Sequence, residues 1–258
     1  MKTKKRPLIL ITNDDGVTAP GIAALVEVMK TIGDIMVIAP DKPQSGMGHA
    51  ITINSTIRIN KVNVYGVMEE YSCSGTPVDC VKIAMNKLLK RKPDLCVSGI
   101  NHGSNMSINV IYSGTMSAAV EGSIESIPSI GFSLCDESID ADFSAAKKIV
   151  KTIALGVLKN GLPKDVCLNV NIPKSKYEEL KGIKVCRQAR ANWIEELDER
   201  KDPAGKPYFW LTGKFDNFDK GKKDTDVWAL ENNYVSIVPT QFDMTAHPAI
   251  KEIAKWKL

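Results

Sequence analysis

Leu8-Ile9-Leu10-Ile11-Thr12-Asn13-Asp14-Asp15-Gly16 sets four consecutive apolar residues directly before a polar, acidic turn. An unbroken apolar run of this length, bounded by Pro7 and Asn13, suits a strand buried on both faces, as in a parallel sheet. A helical pattern follows from about Gly21, with Ile22, Leu25, Val26, Met29 and Ile32 along one face. Ile35-Met36-Val37-Ile38 reads as a second buried strand, ended by Ala39-Pro40, and Leu95-Cys96-Val97 as another. Between them, residues 57–62 alternate as a half-exposed hairpin does. Thr76-Pro77-Val78-Asp79 opens a helix, with Thr as cap, Pro at the first helical position and Asp three residues after the cap. Its apolar face is Val78, Val81, Met85 and Leu88. Downstream come a small-residue helix after Ser113-Gly114-Thr115, a strand near Ile130-Gly131-Phe132, and an amphipathic helix through Phe143, Ala146, Val150, Ile153 and Val157. A strand over 166–172 completes the series. Strands alternating with helices predict an α/β fold with a mostly parallel sheet covered on both faces.

At 258 residues the chain fits one large domain, or one domain with an extension, and the composition shifts near Pro173. We therefore expect an α/β catalytic core over 1–175 and a C-terminal extension over 176–258. Residues 190–226 are charged and Gly-rich, yet carry Trp193, Tyr208, Phe209, Trp210, Phe215 and Phe218. Two readings stand: an irregular surface hairpin over the core, or an arm whose aromatic residues bury against a second subunit. The chain closes with a strand over 234–238 and a helix starting near Thr245.

Composition narrows the function classes. The chain is 43% hydrophobic and 25% charged, with a net charge of +4 from 34 basic and 30 acidic residues. The basic clusters at 2–6, 87–92 and 220–223 read as a solvated terminus, a helix end and a turn, so no nucleic-acid polymer is expected as a partner. The N-terminal apolar stretch ends at Asn13-Asp14-Asp15, too soon for a secretion signal. No segment approaches the ~18 apolar residues of a membrane span, so no membrane partner is expected either. Six cysteines (73, 80, 96, 135, 167 and 186) form no C-x-x-C pair. They read as reduced thiols of a cytoplasmic protein.

In an open parallel sheet, ligands bind where loops converge at the carboxyl ends of the strands. Three such ends carry small oxygen-bearing residues: Asn13-Asp14-Asp15-Gly16, the loop Asp41-Lys42-Pro43-Gln44-Ser45-Gly46, and Ser98-Gly99-Ile100-Asn101-His102-Gly103-Ser104-Asn105. Asp-Asp-Gly alone is a common turn, but a helix follows it here, which fits a hairpin poorly. Two adjacent carboxylates at a buried strand end raise each other's pKa unless a cation neutralises them. Magnesium or manganese, hard cations that prefer oxygen, would do so. A Ser45 hydroxyl and an Asn101 amide oxygen are suitable completing ligands. Ser113-Gly114-Thr115 either merely caps a helix or presents its N–H groups and dipole to a phosphate. A metal beside an anion-ready helix start is what phosphoryl transfer requires. Of the histidines, His49 and His102 read as structural. His247 is a candidate to protonate a leaving oxygen or touch substrate, or else an exposed first-turn residue.

These segments, together with Tyr71-Ser72-Cys73-Ser74-Gly75-Thr76-Pro77-Val78-Asp79-Cys80-Val81, Tyr112-Ser113-Gly114-Thr115, Asp224-Thr225-Asp226 and Tyr234-Val235-Ser236-Ile237, resemble the SurE family of stationary-phase survival proteins, which are metal-dependent 5′-nucleotidases. They occur in that family's order and span nearly the whole chain. The resemblance implies a Rossmann-like three-layer core with a C-terminal β-rich extension exchanged between subunits, as a homodimer or a dimer of dimers. It implies one divalent ion per subunit on Asp14, Asp15, Ser45 and Asn101, with Asp14 and Asp15 also catalytic. Asn13, Gly46, Asn105, Ser113, Gly114 and Thr115 would bind substrate and phosphate. The implied reaction is hydrolysis of nucleoside 5′-monophosphates, extending in the family to 3′-monophosphates and short polyphosphate. Where many members carry an acidic residue this chain has Ile108-Asn109, which leaves substrate preference open. Two other classes fit less well. A haloacid-dehalogenase-type phosphatase needs an aspartate two residues before a second one, and a phosphoreceiver switch needs an aspartate where this chain has Asn101.

Overall fold

The computed structural model describes residues 6–138 and 140–256; most of the N-terminal basic run, residues 2–5, lies outside the described residues. The elements in chain order are β1 (Leu8–Thr12), α1 (Pro20–Lys30), β2 (Asp34–Pro40), β3 (Ile59–Lys61), β4 (Glu69–Cys73), α2 (Pro77–Ile83), β5 (Leu95–His102), α3 (Gly114–Ile124) and β6 (Ser129–Leu134). They continue with α4 (Ser144–Asn160), β7 (Val166–Ile172), β8 (Ile183–Val185), β9 (Ala191–Lys201), β10 (Pro207–Asn217), α5 (Asp226–Glu231), β11 (Val235–Gln241) and α6 (His247–Ile253). Among the described residues nine strands form one sheet, in the order β3-β4-β2-β1-β5-β6-β7-β11-β8. The run from β4 to β7 is parallel throughout.

β1 shows why the apolar run is unbroken. Ile9 and Ile11 point into the cluster under α1 and α4, whereas Leu10 points into the one under α2 and α3. Side chains alternate across a strand, so a strand with helices on both faces needs apolar residues at every position. All three are fully buried, each worth about 1.5–3 kcal/mol of removal from water.

α2 starts as its sequence dictates. The Thr76 hydroxyl accepts from the Asp79 N–H at 3.2 Å and the Asp79 carboxylate accepts from the Thr76 N–H at 2.9 Å. The regular helix ends at Ile83 and continues as one wider π-type turn over Ala84–Leu88, which keeps Met85 and Leu88 against the core. The hairpin expected at 57–62 shrinks to β3, which pairs antiparallel with β4. β4 itself is masked in the sequence by Glu69 and Glu70. Glu70 is fully buried, and its carboxylate accepts the N–H groups of Val64, Tyr65 and Val67. That compensates the acid for its lost water.

The chain winds outward from β1 through β2 to β4, then crosses by α2 to β5 on the other side of β1. The strand order therefore reverses between β1 and β5, and the crevice beyond their carboxyl ends is where this architecture places ligands. At the far side β11 runs antiparallel to β7, from Ser236 opposite Asn171 to Gln241 opposite Val166, with β8 outside it. It starts one residue later than the strand expected there and ends three residues later, at Gln241.

β9 and β10 form a regular antiparallel hairpin, Leu197 facing Leu211 and Trp193 facing Phe215. Tyr208, Phe209, Trp210 and Leu211 are exposed along it in the single chain. All six cysteines are unpaired, and five are buried. Among the described residues no helix is long and apolar enough to cross a membrane.

Candidate metal centre and phosphate site

Asp14 sits at the switch point and is buried, with only 5% of its surface exposed. The Thr115 hydroxyl at the start of α3 donates to its Oδ1. The helix start is pressed against the acid: a Cβ placed on Gly114 would lie 2.7 Å from the Asp14 Cβ and 2.9 Å from its Oδ2. Only glycine permits that approach. Burial pushes the Asp14 carboxyl up to about 6, and the neighbouring Asp15 charge adds to the rise, against the lowering effect of Thr115. Without a counter-ion this acid therefore loses its proton only near pH 6, and a bound cation would favour the ionised form.

Asn101 approaches from β5. The strand's register with β6 slips between Ser98 and Asn101, and Gly99 there has φ +118° with the Phe132 carbonyl where a Cβ would stand. A bulge of this kind re-aims the side chains beyond it. The Asn101 amide nitrogen donates to the carbonyls of His102 (3.0 Å) and Gly103 (2.8 Å), which fixes its orientation and turns Oδ1 inward. That oxygen lies 3.4 Å from the Thr115 hydroxyl oxygen, so Asn101, Thr115 and Asp14 converge. Asp15 is steadied by His102, whose Nδ1 is 3.4 Å from its Oδ2. Asn13 donates through Nδ2 to the Gly16 carbonyl at 2.9 Å, while its buried Oδ1 has no hydrogen-bond partner. A buried oxygen in that state is unusual in a finished interior and is open to a ligand.

Ser45 and Gly46 lie on the exposed loop after β2, brought beside β1 by the Gln44 N–H, which donates to the Asp14 carbonyl at 2.8 Å. Ser113 caps α3, its hydroxyl accepting from the Met116 N–H at 3.0 Å. The first N–H groups of a helix lack partners within the helix; that of Thr115 faces the Asp14 carboxylate, and a helix start of this kind suits an anion. Asn105 is held by its backbone: its N–H donates to Asn171 Oδ1 and its carbonyl accepts from Asn169 Nδ2, each at 2.7 Å. Its own amide donates to the Ser133 hydroxyl at 2.8 Å, leaving a second amide hydrogen for a ligand.

His247 is not among the converging residues. β11 carries the chain to the opposite rim of the sheet, and there the exposed His247 ring bonds Asp243 Oδ2 at 2.7 Å. Several residues that organise the site went unread in the sequence. Asn169 and Asn171 look like polar interruptions of a strand. Asp226 is fully buried, and its carboxylate accepts the N–H groups of Ser107, Ala189 and Val227. It thereby ties the segment between Asn105 and Ser113 to the extension. Among the described residues no three His, Cys, Asp or Glu side chains form a metal-binding group. A cation here would rely on two carboxylates with hydroxyl and amide oxygens, a donor set suited to a hard ion.

The sequence profile described as "Survival protein SurE" matches residues 9–195. The chain belongs to the SurE family. Among its SurE relatives, the 5′-nucleotidase SurE of Christiangramia forsetii is 66% identical, with 99% of this chain and 98% of that protein covered. The 5′-nucleotidase SurE of Flavobacterium psychrophilum is 65% identical, covering 98% of each. The crystal structure of the SurE protein from Aquifex aeolicus superposes with a TM-score of 0.84 at 40% identity, over 96% of this chain and 98% of that one. The SurE fold thus extends across the sheet, including the strands beyond residue 175.

Proposed function

We propose that this protein hydrolyses nucleoside 5′-monophosphates to nucleoside and phosphate, using one divalent ion, Mg²⁺ or Mn²⁺. The observation that carries this reading is the buried Asp14 carboxylate wedged against the N-terminus of α3 with the Asn101 amide oxygen turned towards the same point. Relatives of 65–66% identity bear the name 5′-nucleotidase, which supports the substrate class.

Asp14, Asp15, Asn101 and Ser45 would hold the ion. When bound, it supplies Lewis-acid polarisation of the phosphoryl group and activation of water. The chain's own residues do the rest. The Gly114–Thr115 turn and Asn105 orient the non-bridging oxygens through N–H donors. The Thr115 hydroxyl, already committed to Asp14, keeps that carboxylate in one rotamer. His102 does the same for Asp15. Orientation of this kind converts binding energy into rate. Two further readings accompany the proposal: the exposed aromatic hairpin β9–β10 buries against a second chain, and the unpaired cysteines suit a cytoplasmic protein.

The test is to strip the purified protein with chelator, restore Mg²⁺ or Mn²⁺ separately, and measure phosphate release from 5′- and 3′-monophosphates and tripolyphosphate. Metal-dependent release, fastest from a 5′-monophosphate, is expected. Equal release with and without metal would refute the reading.

A further inference from the structure

Glu121 lies on the third turn of α3, well away from Asp14, and its side chain is only 2% exposed. Both its oxygens are engaged. Oε2 is 3.0 Å from His49 Nε2, and Oε1 accepts from Lys82 on α2. A carboxylate left alone at such depth costs several kcal/mol, so this pairing is needed for the fold to accept the residue. Lys82 alone supplies a full neutralising charge. What His49 adds is a connection, because it stands on the loop that carries Ser45.

That loop is sparsely held. Ser45, Gly46 and Met47 are exposed at its apex, and the apex has one internal backbone bond, from the Met47 N–H to the Gln44 carbonyl at 3.3 Å. Before the apex the Gln44 N–H is fixed to the Asp14 carbonyl. After it, the Gly48 N–H donates to the Tyr112 carbonyl at 3.1 Å, and His49 follows with its bond to Glu121. Further on, Thr52 is tied to the Asp79 carboxylate. Glu121 belongs to α3, whose first turn touches Asp14, and Tyr112 lies two residues before the start of that helix. One helix therefore sets both the strand end and the loop that must meet across the cation site.

We infer that Glu121 and His49 are positioning residues for the cation site: through His49, Glu121 holds the Ser45 loop in register with Asp14. This rests on the reading that Asp14 and Ser45 share a divalent ion. Neither residue touches the ion or the substrate. Outer partners that fix a ligand's place typically change metal affinity 10–100-fold when removed, and the indirect connection here puts the expected effect at the lower end.

The experiment is Mn²⁺ titration of the chelator-stripped full chain, with free Mn²⁺ counted by EPR, for the wild type, Asp14→Asn, His49→Ala, His49→Gln and Lys82→Met. His49→Ala is expected to raise the dissociation constant about tenfold. His49→Gln, which keeps an N–H donor at similar reach, should recover it to within about threefold. Lys82→Met should lower Tm while leaving the Mn²⁺ constant unchanged. If the alanine variant does not fold, His49→Asn, too short to reach Glu121, supplies the same contrast with His49→Gln. Unchanged affinity in His49→Ala, no rescue by glutamine, or equal weakening by Lys82→Met overturns the positioning role. If Asp14→Asn binds Mn²⁺ as the wild type does, the cation reading itself fails. Loss in Asp14→Asn without loss in His49→Ala removes only the positioning role.

Discussion

Gly114→Ala separates the site from the fold more sharply than removing a carboxylate does. The added methyl would stand 2.7 Å from the Asp14 Cβ and 3.1 Å from its Cγ, against about 3.5–4.0 Å for an unstrained carbon contact. Something must give by roughly 1 Å. Asp14 has little room to retreat, because Thr115 holds its carboxylate and Gln44 its carbonyl. A misplacement of about 1 Å at a reacting centre costs on the order of a hundredfold in rate, or about 2.7 kcal/mol of transition-state stabilisation. Overpacking of this kind costs about 1–3 kcal/mol of stability, so the melting temperature should fall modestly while the protein stays folded. Phosphate release from a 5′-monophosphate in Mn²⁺, measured with a thermal melt on the same sample, reads both quantities. A kcat/KM within threefold of wild type would refute the packing argument; a large fall in Tm would show that the contact serves the fold instead.

Other outcomes follow from the same geometry. With its carboxyl raised to about 6 from an ordinary 3.8, folded Asp14 keeps a proton between those pH values that the unfolded chain has released. The metal-free protein is therefore stabilised by this group at low pH and loses that contribution as pH rises through 6, about 2 kcal/mol between pH 4.5 and 7. Urea midpoints in chelator should show this slope in the wild type and its absence in Asp14→Asn; an identical slope in both would contradict the assignment. Asn171→Ala strands the buried Asn105 N–H and should cost about 1–3 kcal/mol in denaturant unfolding, with a raised KM; no change in either would show the network to be idle. Replacing residues 192–216 by a short Gly-Ser turn should convert an oligomer to a monomer in light scattering with the far-ultraviolet spectrum of the core retained, and an unchanged mass would exclude the hairpin as the interface.

The fold was legible where one residue type answers one local demand. Ile9, Leu10 and Ile11 are apolar because both faces of β1 are covered, and Thr76-Pro77-Val78-Asp79 closes a helix start within four residues. Asp14 and Asp15 stood out because adjacent acids at a buried strand end are costly without a counter-charge. The remainder depends on partners distant in sequence. Asn169 and Asn171 have meaning only beside Asn105, more than sixty residues earlier. Glu121 needs His49, and Asp226 needs Ser107. β4 was hidden because Glu70 is buried by backbone donors that no pattern of its own residues announces. The length and regularity of β9 and β10 were likewise obscured, since exposed strands lack the alternation that a covered face imposes.

The proposed cation, held by oxygen atoms from separate loops, lies at the rim between β1 and β5. The most direct measurement is an anomalous difference map from crystals soaked in Mn²⁺. A single strong peak within bonding distance of the Asp14 carboxylate and Asn101 Oδ1 is predicted. A map with the ion seated elsewhere, for example at Asp243 and His247, and nothing beside Asp14 would contradict the account.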